Sequence, residues 1–141
     1  MKVIFISGAL PNETLELYNA KYAKRKVRNV QQWWDYTFAT NLKNACGDEN
    51  FYAISFPPVS TFPSSKCLYH KKRQINTKDG MKIFIPSTIN LAYFKQKTLI
   101  SSIKKTIRKI VKQNQNEDVV ILTHCIYLQS AIPAKKAKKY I

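Results

Sequence analysis

The amino-acid sequence predicts one α/β domain over residues 1–141, built as a doubly wound, mostly parallel sheet of about four strands. Three observations carry this expectation. Short apolar runs at Lys2 to Ser7, Phe51 to Phe56, Met81 to Ile85 and Val119 to Leu122 read as strands, the first, rich in β-branched residues, as one covered on both faces. Stretches with three- and four-residue apolar spacing separate most of these runs, so strand and helix alternate along the chain. Such alternation joins parallel strands through right-handed crossovers, and no repeat or linker divides the chain.

The elements follow in order. Lys2 to Ser7 ends at Gly8 and Pro11, and the mostly polar, basic stretch after it reads as a long loop before helical spacing resumes. Val30, Trp33, Trp34, Phe38, Leu42 and Ala45 then predict an amphipathic helix whose apolar stripe faces the core, capped near Asn29 and closed before Gly47. Trp33 and Trp34 are adjacent on that helix, so one reads as core and the other as its flank. The second strand stops at Pro57-Pro58, and residues 60–80 read as an exposed excursion closed by Asp79-Gly80. Leu99, Ile100, Ile103, Ile107, Ile110 and Val111 draw the clearest helical stripe, opposite Lys104, Lys105, Arg108, Lys109 and Lys112. A turn over Asn114 to Asp118 leads to the fourth strand. A final helix is expected from Leu128 to Tyr140, with Pro133 marking its start.

Charge narrows the partners. The chain carries 24 Lys and Arg against 8 Asp and Glu, a formal charge of +16, so its surface field favours anionic partners. Three cysteines, Cys46, Cys67 and Cys125, cannot all pair within one chain and have no framework spacing, which fits a reducing cytosol. Cys46 and Cys125 read as small buried apolar residues. The first ten residues hold too short an apolar run for a signal peptide, and no run reaches the length of a membrane span.

In a doubly wound sheet, ligands sit beyond the carboxyl ends of the strands where strand order reverses. Ser7, Gly8 and Ala9 would lie on that floor with the following loop as a wall. His124, directly after the fourth strand, would border the same crevice with Thr123 and Tyr127. The single glycine of "SGALPNE" argues against a dinucleotide fingerprint, and a phosphate-binding P-loop is absent. "CLYHKKR", Cys67 to Arg73, matches the C-x5-R spacing of cysteine phosphatases, but no apolar strand leads into it, so the match reads as chance. Cys67 with His70, or His124 with Cys125, lacks a second ligand pair, so no metal is expected.

Four stretches carry a resemblance: "MKVIFISGALP", "NVQQWWDYTFATNLKNA", "KDGMKIFIPSTIN" before a Lys-rich helix, and "EDVVILTHCIYLQSAIPAKKAKKY". Together they resemble the N-terminal domain of a family 4 (group 1) glycosyltransferase, and the resemblance spans nearly the whole chain. It implies a Rossmann-like, partial N-terminal domain that binds the acceptor for a sugar carried by a nucleotide-sugar donor. The loop after the first strand, Ser7 to Leu10, would face donor diphosphate and acceptor. His124 would hydrogen-bond the transferred sugar or the acceptor, with Thr123 and Tyr127 beside it. The chain departs from the family's usual glycine pair at that loop. It also shows no E-x7-E pair, which belongs to a donor-binding C-terminal domain, since Glu13 and Glu16 are too close together. The resemblance therefore implies a truncated transferase that binds no cofactor of its own and is inactive without the donor domain.

The same resemblance implies a glycan or lipid-linked acceptor, cell-surface polysaccharide synthesis, and a cytoplasmic protein peripheral to the inner face of the membrane. Lys21, Lys24, Arg25, Lys26 and Arg28 would then rest on anionic headgroups, each contributing about 1 kcal/mol near the surface. The alternatives are a small basic nucleic-acid-binding module, for which charge argues without any recognition motif, and a non-functional gene fragment.

Overall fold

A computed structural model describes residues 1–24, 30–124 and 128–137. It is an α/β structure around a mostly parallel five-stranded sheet of order β4-β5-β2-β1-β7, compatible with a Rossmann-like fold. The parallel strands are β1 (Lys2–Ser7), β2 (Phe51–Ser55), β5 (Lys82–Ile85) and β7 (Val119–Thr123). The fifth strand, β4 (Arg73–Asn76), runs antiparallel to β5 at one edge. Within the excursion, β3 (Tyr69–His70) pairs with β6 (Thr88–Ile89) as a separate two-stranded ribbon. The expected four strands are thus the parallel set. The excursion over residues 60–80 supplies an additional edge strand, because Thr77 to Gly80 make a tight turn that returns β4 onto β5. Gly80, at φ +80°, occupies the left-handed conformation that this turn needs.

Alternation within β1 builds two cores. Val3 and Phe5 point to one face with Phe51, Ala53 and Ile83, and Ile4 and Ile6 point to the other with Ile54. The second face is covered by α3 (Ala92–Gln113) and α4 (Leu128–Ala137). The stripe on α3 packs with one exception: Leu99, Ile103, Ile107, Ile110 and Val111 are buried, each Ile contributing about 1.5–3 kcal/mol, while Ile100 is only partly buried. Pro133 lies inside α4 rather than at its start, and Tyr140 is outside the described residues.

The first face departs from expectation twice. The stretch read as a long loop contains α1 (Asn12–Tyr22), in which the Leu15 N–H donates to the Pro11 carbonyl and Tyr18 is buried in the core. The spacing of Leu15, Tyr18 and Tyr22 is helical, but polar neighbours dilute the stripe to one fully buried residue. The second departure concerns α2 (Val30–Cys46), whose extent matches the expectation but whose inward face does not. Gln32, Asp35, Ala39 and Lys43 are buried, whereas Val30, Trp33, Trp34 and Phe38 are 68, 48, 58 and 49 % exposed. Neither tryptophan is core; their rings meet edge to face on the surface. The physical reason is that the two buried charged groups, Asp35 and Lys43, find partners. Lys43 donates to the Asp79 carbonyl and pairs with Asp48 at 3.0 Å, while small Ala39 lets the helix approach the sheet. Cys46 is only partly buried, Cys67 is buried, and Asn29 and Cys125 lie outside the described residues.

Candidate functional site

In chain order the parallel strands are β1, β2, β5 and β7, yet across the sheet they lie β5-β2-β1-β7. The chain builds outward from β1 in one direction and then crosses to its other side, so strand order reverses between β1 and β7. The crevice of such a sheet opens beyond the carboxyl ends of those two strands. Ser7-Gly8 ends one of them and Thr123-His124 the other, and the His124 N–H donates to the Ile6 carbonyl at 3.4 Å, extending the ladder past the strand.

Asp35 organises this end of the sheet. Its carboxylate is 1 % exposed and accepts three hydrogen bonds: Gly8 N–H to Oδ2 at 2.7 Å, His124 Nδ1 to Oδ1 at 2.6 Å, and Gln31 Nε2 to Oδ1 at 3.0 Å. A carboxylate can only accept, so Nδ1 of His124 carries the proton and Nε2 is left as the imidazole's other ring nitrogen. The His124 side chain is 36 % exposed and stacks on Phe38, centroids 5.5 Å apart and planes 11° from parallel. Phe38 in turn contacts Phe5 of β1 at 5.5 Å. The imidazole is thus fixed on one side by a buried carboxylate and on one face by an aromatic ring, with its remaining surface open.

The chain passes close to α2 at Gly8. A Cβ there would stand 3.1 Å from Asp35 Oδ2 and 3.4 Å from Gln32 Cγ. The Ser7 hydroxyl accepts from the Ala9 N–H at 3.0 Å, which turns the chain away from the strand. Ala9 and Leu10 point into the core at 0 and 1 % exposure, so a ligand could meet only their backbone. Thr123 is exposed at the end of β7, and Tyr127 lies outside the described residues. Two buried polar atoms of this region, Gln32 Oε1 and Ser55 Oγ beside Ser7, have no hydrogen-bond partner among the described residues. Sequence reading missed Asp35, Gln32 and Ser55. The signal was present for two of them, since Gln32, Asp35, Ala39 and Lys43 recur at helical spacing, but the apolar stripe beside them dominated.

The other candidates resolve as follows. Lys21 and Lys24 are exposed at and just after the end of α1, and Arg25, Lys26 and Arg28 lie outside the described residues. Cys67 is buried, its thiol pushed up by burial, and Sγ donates to the Tyr69 carbonyl at 3.3 Å. It therefore forms no anion nest with Arg73, which sits on β4 over the Tyr18 ring. His70 is buried and shares a 2.7 Å hydrogen bond with the Tyr18 hydroxyl. Burial first, then the Arg73 charge, lowers its pKa to about 4, while burial pushes Tyr18 up to about 12. Both are neutral structural groups at pH 7. Among the described residues no group of three or more His, Cys, Asp or Glu could hold a metal, and no helix is long and apolar enough to cross a membrane. Comparison with protein-family models, with curated proteins and with solved structures finds no match to this chain.

Proposed function

We propose that this chain is the acceptor-side, N-terminal part of a doubly wound, Rossmann-like glycosyltransferase of the family 4 type. In this reading a sugar passes from a nucleotide-sugar donor, held by a separate C-terminal domain, to a glycan or lipid-linked acceptor at the inner face of the membrane. One observation carries it: Asp35 ties Gly8 N–H and His124 Nδ1 together at the point where strand order reverses. That arrangement orients Nε2 of His124 to accept a hydrogen bond from a hydroxyl of the sugar or acceptor.

Phe38, 49 % exposed and stacked on His124, adds an apolar face of the kind on which sugar rings stack. The closeness permitted by Gly8 serves a different purpose from a glycine pair against diphosphate, because its N–H is already engaged by Asp35. The nucleotide therefore depends on the donor domain, and this chain supplies acceptor binding and the histidine. The test is incubation of the intact gene product with a panel of nucleotide-sugars, following binding and hydrolysis. Binding of at least one donor, with sugar release that falls in His124→Ala, is expected; a full-length protein that neither binds nor hydrolyses any of them sinks the reading.

A further inference from the structure

A second site lies at the opposite edge of the sheet from the crevice. Between α1 and the edge strand β4 runs a groove of about 790 Å³ whose walls include Leu17, Tyr18, Tyr22 and Ile75. Its volume falls in the range of small-molecule pockets. Leu17 is 71 % exposed and leaves its apolar side chain open to the groove. The Tyr18 hydroxyl is turned onto buried His70, so this wall presents ring carbon.

The rim is cationic. Lys21 Nζ stands 5.3 Å from the Tyr22 ring centroid, and the Arg73 guanidinium carbon stands 6.0 Å from that of Tyr18. Among the described residues neither cation has a carboxylate partner. Two unneutralised cations beside an apolar trough complement an anionic head on an apolar chain, and the chain's +16 charge adds a long-range attraction for it. The groove is held in shape from both sides. Lys66 N–H donates to the Tyr22 carbonyl at 2.9 Å and Ala23 bridges to Ser65, anchoring the end of α1, while β4 is paired along its length with β5. Polar Arg73, Gln74 and Asn76 on β4 disfavour addition of a further strand at this edge.

We infer that this groove binds a single-chain alkyl phosphate, the chain lying along Leu17 and Ile75 and the phosphate between Lys21 and Arg73. The inference does not depend on sugar transfer at the crevice. The experiment titrates the protein with dodecyl phosphate below its micelle concentration, by calorimetry and by backbone amide shifts. Dodecyl maltoside, inorganic phosphate and phosphatidylglycerol vesicles serve as the comparison ligands. Saturable one-to-one binding is expected, with shifts at Leu17, Lys21 and Gln74. Affinity should be at least tenfold above that for dodecyl maltoside or inorganic phosphate, and should fall about tenfold in both Leu17→Asp and the double variant Lys21→Gln/Arg73→Gln. All three side chains are exposed, and an unchanged urea midpoint shows that the variants fold. Equal affinity for the neutral amphiphile, insensitivity to either variant, or binding to vesicles without binding to the monomer would overturn the assignment.

Discussion

Replacing Asp35 by asparagine perturbs the candidate site at its centre while conserving shape. The carboxylate presents two acceptor oxygens, Oδ2 to Gly8 N–H at 2.7 Å and Oδ1 to His124 and Gln31 at 2.6 and 3.0 Å. Asparagine has one acceptor and one NH2. With its oxygen toward Gly8, its NH2 faces His124 Nδ1, which must then lose its proton and accept; the proton moves to Nε2. With the amide reversed, a donor faces the buried Gly8 N–H. Either way one charge-assisted hydrogen bond is lost, worth about 1.5–3 kcal/mol. For a chain of this size each kcal/mol moves Tm by about 2–4 °C, so a fall of about 3–12 °C is expected. The assay pairs thermal unfolding with nitrogen NMR of the imidazole, which reports the tautomer directly. Wild type should show Nδ1–H and Asp35→Asn should show Nε2–H. A variant within about 0.5 kcal/mol of wild type, with the same tautomer, would refute the clamp.

Three further outcomes follow from particular contacts. Gly8→Ala places a methyl 3.1 Å from Asp35 Oδ2 and should cost about 1–3 kcal/mol in urea unfolding, with the His124 resonances displaced. His70 has its folded pKa lowered to about 4 from 6.5, so between those values the unfolded chain holds a proton that the folded chain does not. Its stabilising contribution is complete above about pH 6.5 and is lost as pH falls toward 4, a drop on the order of 2–3 kcal/mol; His70→Gln should flatten that part of the stability profile. Asn90 Nδ2 lies 2.6, 2.9 and 2.7 Å from Ser60 O, Ser65 Oγ and Cys67 O, holding the excursion closed. Asn90→Asp would turn a buried carboxylate onto two carbonyl oxygens and should cost at least about 3 kcal/mol, read from the urea midpoint.

The parallel strands and the helix α3 were legible because each announces itself by one strong local signal: a β-branched run or a stripe of six apolar residues facing lysines. The position of His124 was legible for the same reason, since it directly follows such a run. What the sequence concealed is cooperative. The burial of Asp35 and Lys43 and the exposure of Trp34 invert the hydrophobic pattern of α2, and this is stable only because Gly8, His124, Asp79 and Asp48 stand opposite them across the fold. Asp48 is a near neighbour of Lys43 in sequence, but the other partners are not: Asp35 stands 27 residues from Gly8 and 89 from His124, and Lys43 stands 36 from Asp79, so no local window contains them. Helix α1 escaped notice because it buries one tyrosine rather than a stripe, and β4 because an edge strand of Arg, Gln, Ile and Asn has no hydrophobic run to detect.

The most direct test of the central claim, that Asp35 acts on a transferred sugar through His124, is a double-mutant cycle on sugar transfer by the intact gene product. Rates with the best nucleotide-sugar and acceptor would be compared for wild type, Asp35→Asn, His124→Ala and the double variant. Residues acting as a unit lose their effect once, so the double variant should be no slower than His124→Ala, which itself should lie about 10²-fold or more below wild type. Losses that simply multiply, or a His124→Ala protein that transfers sugar at the wild-type rate, would contradict the account.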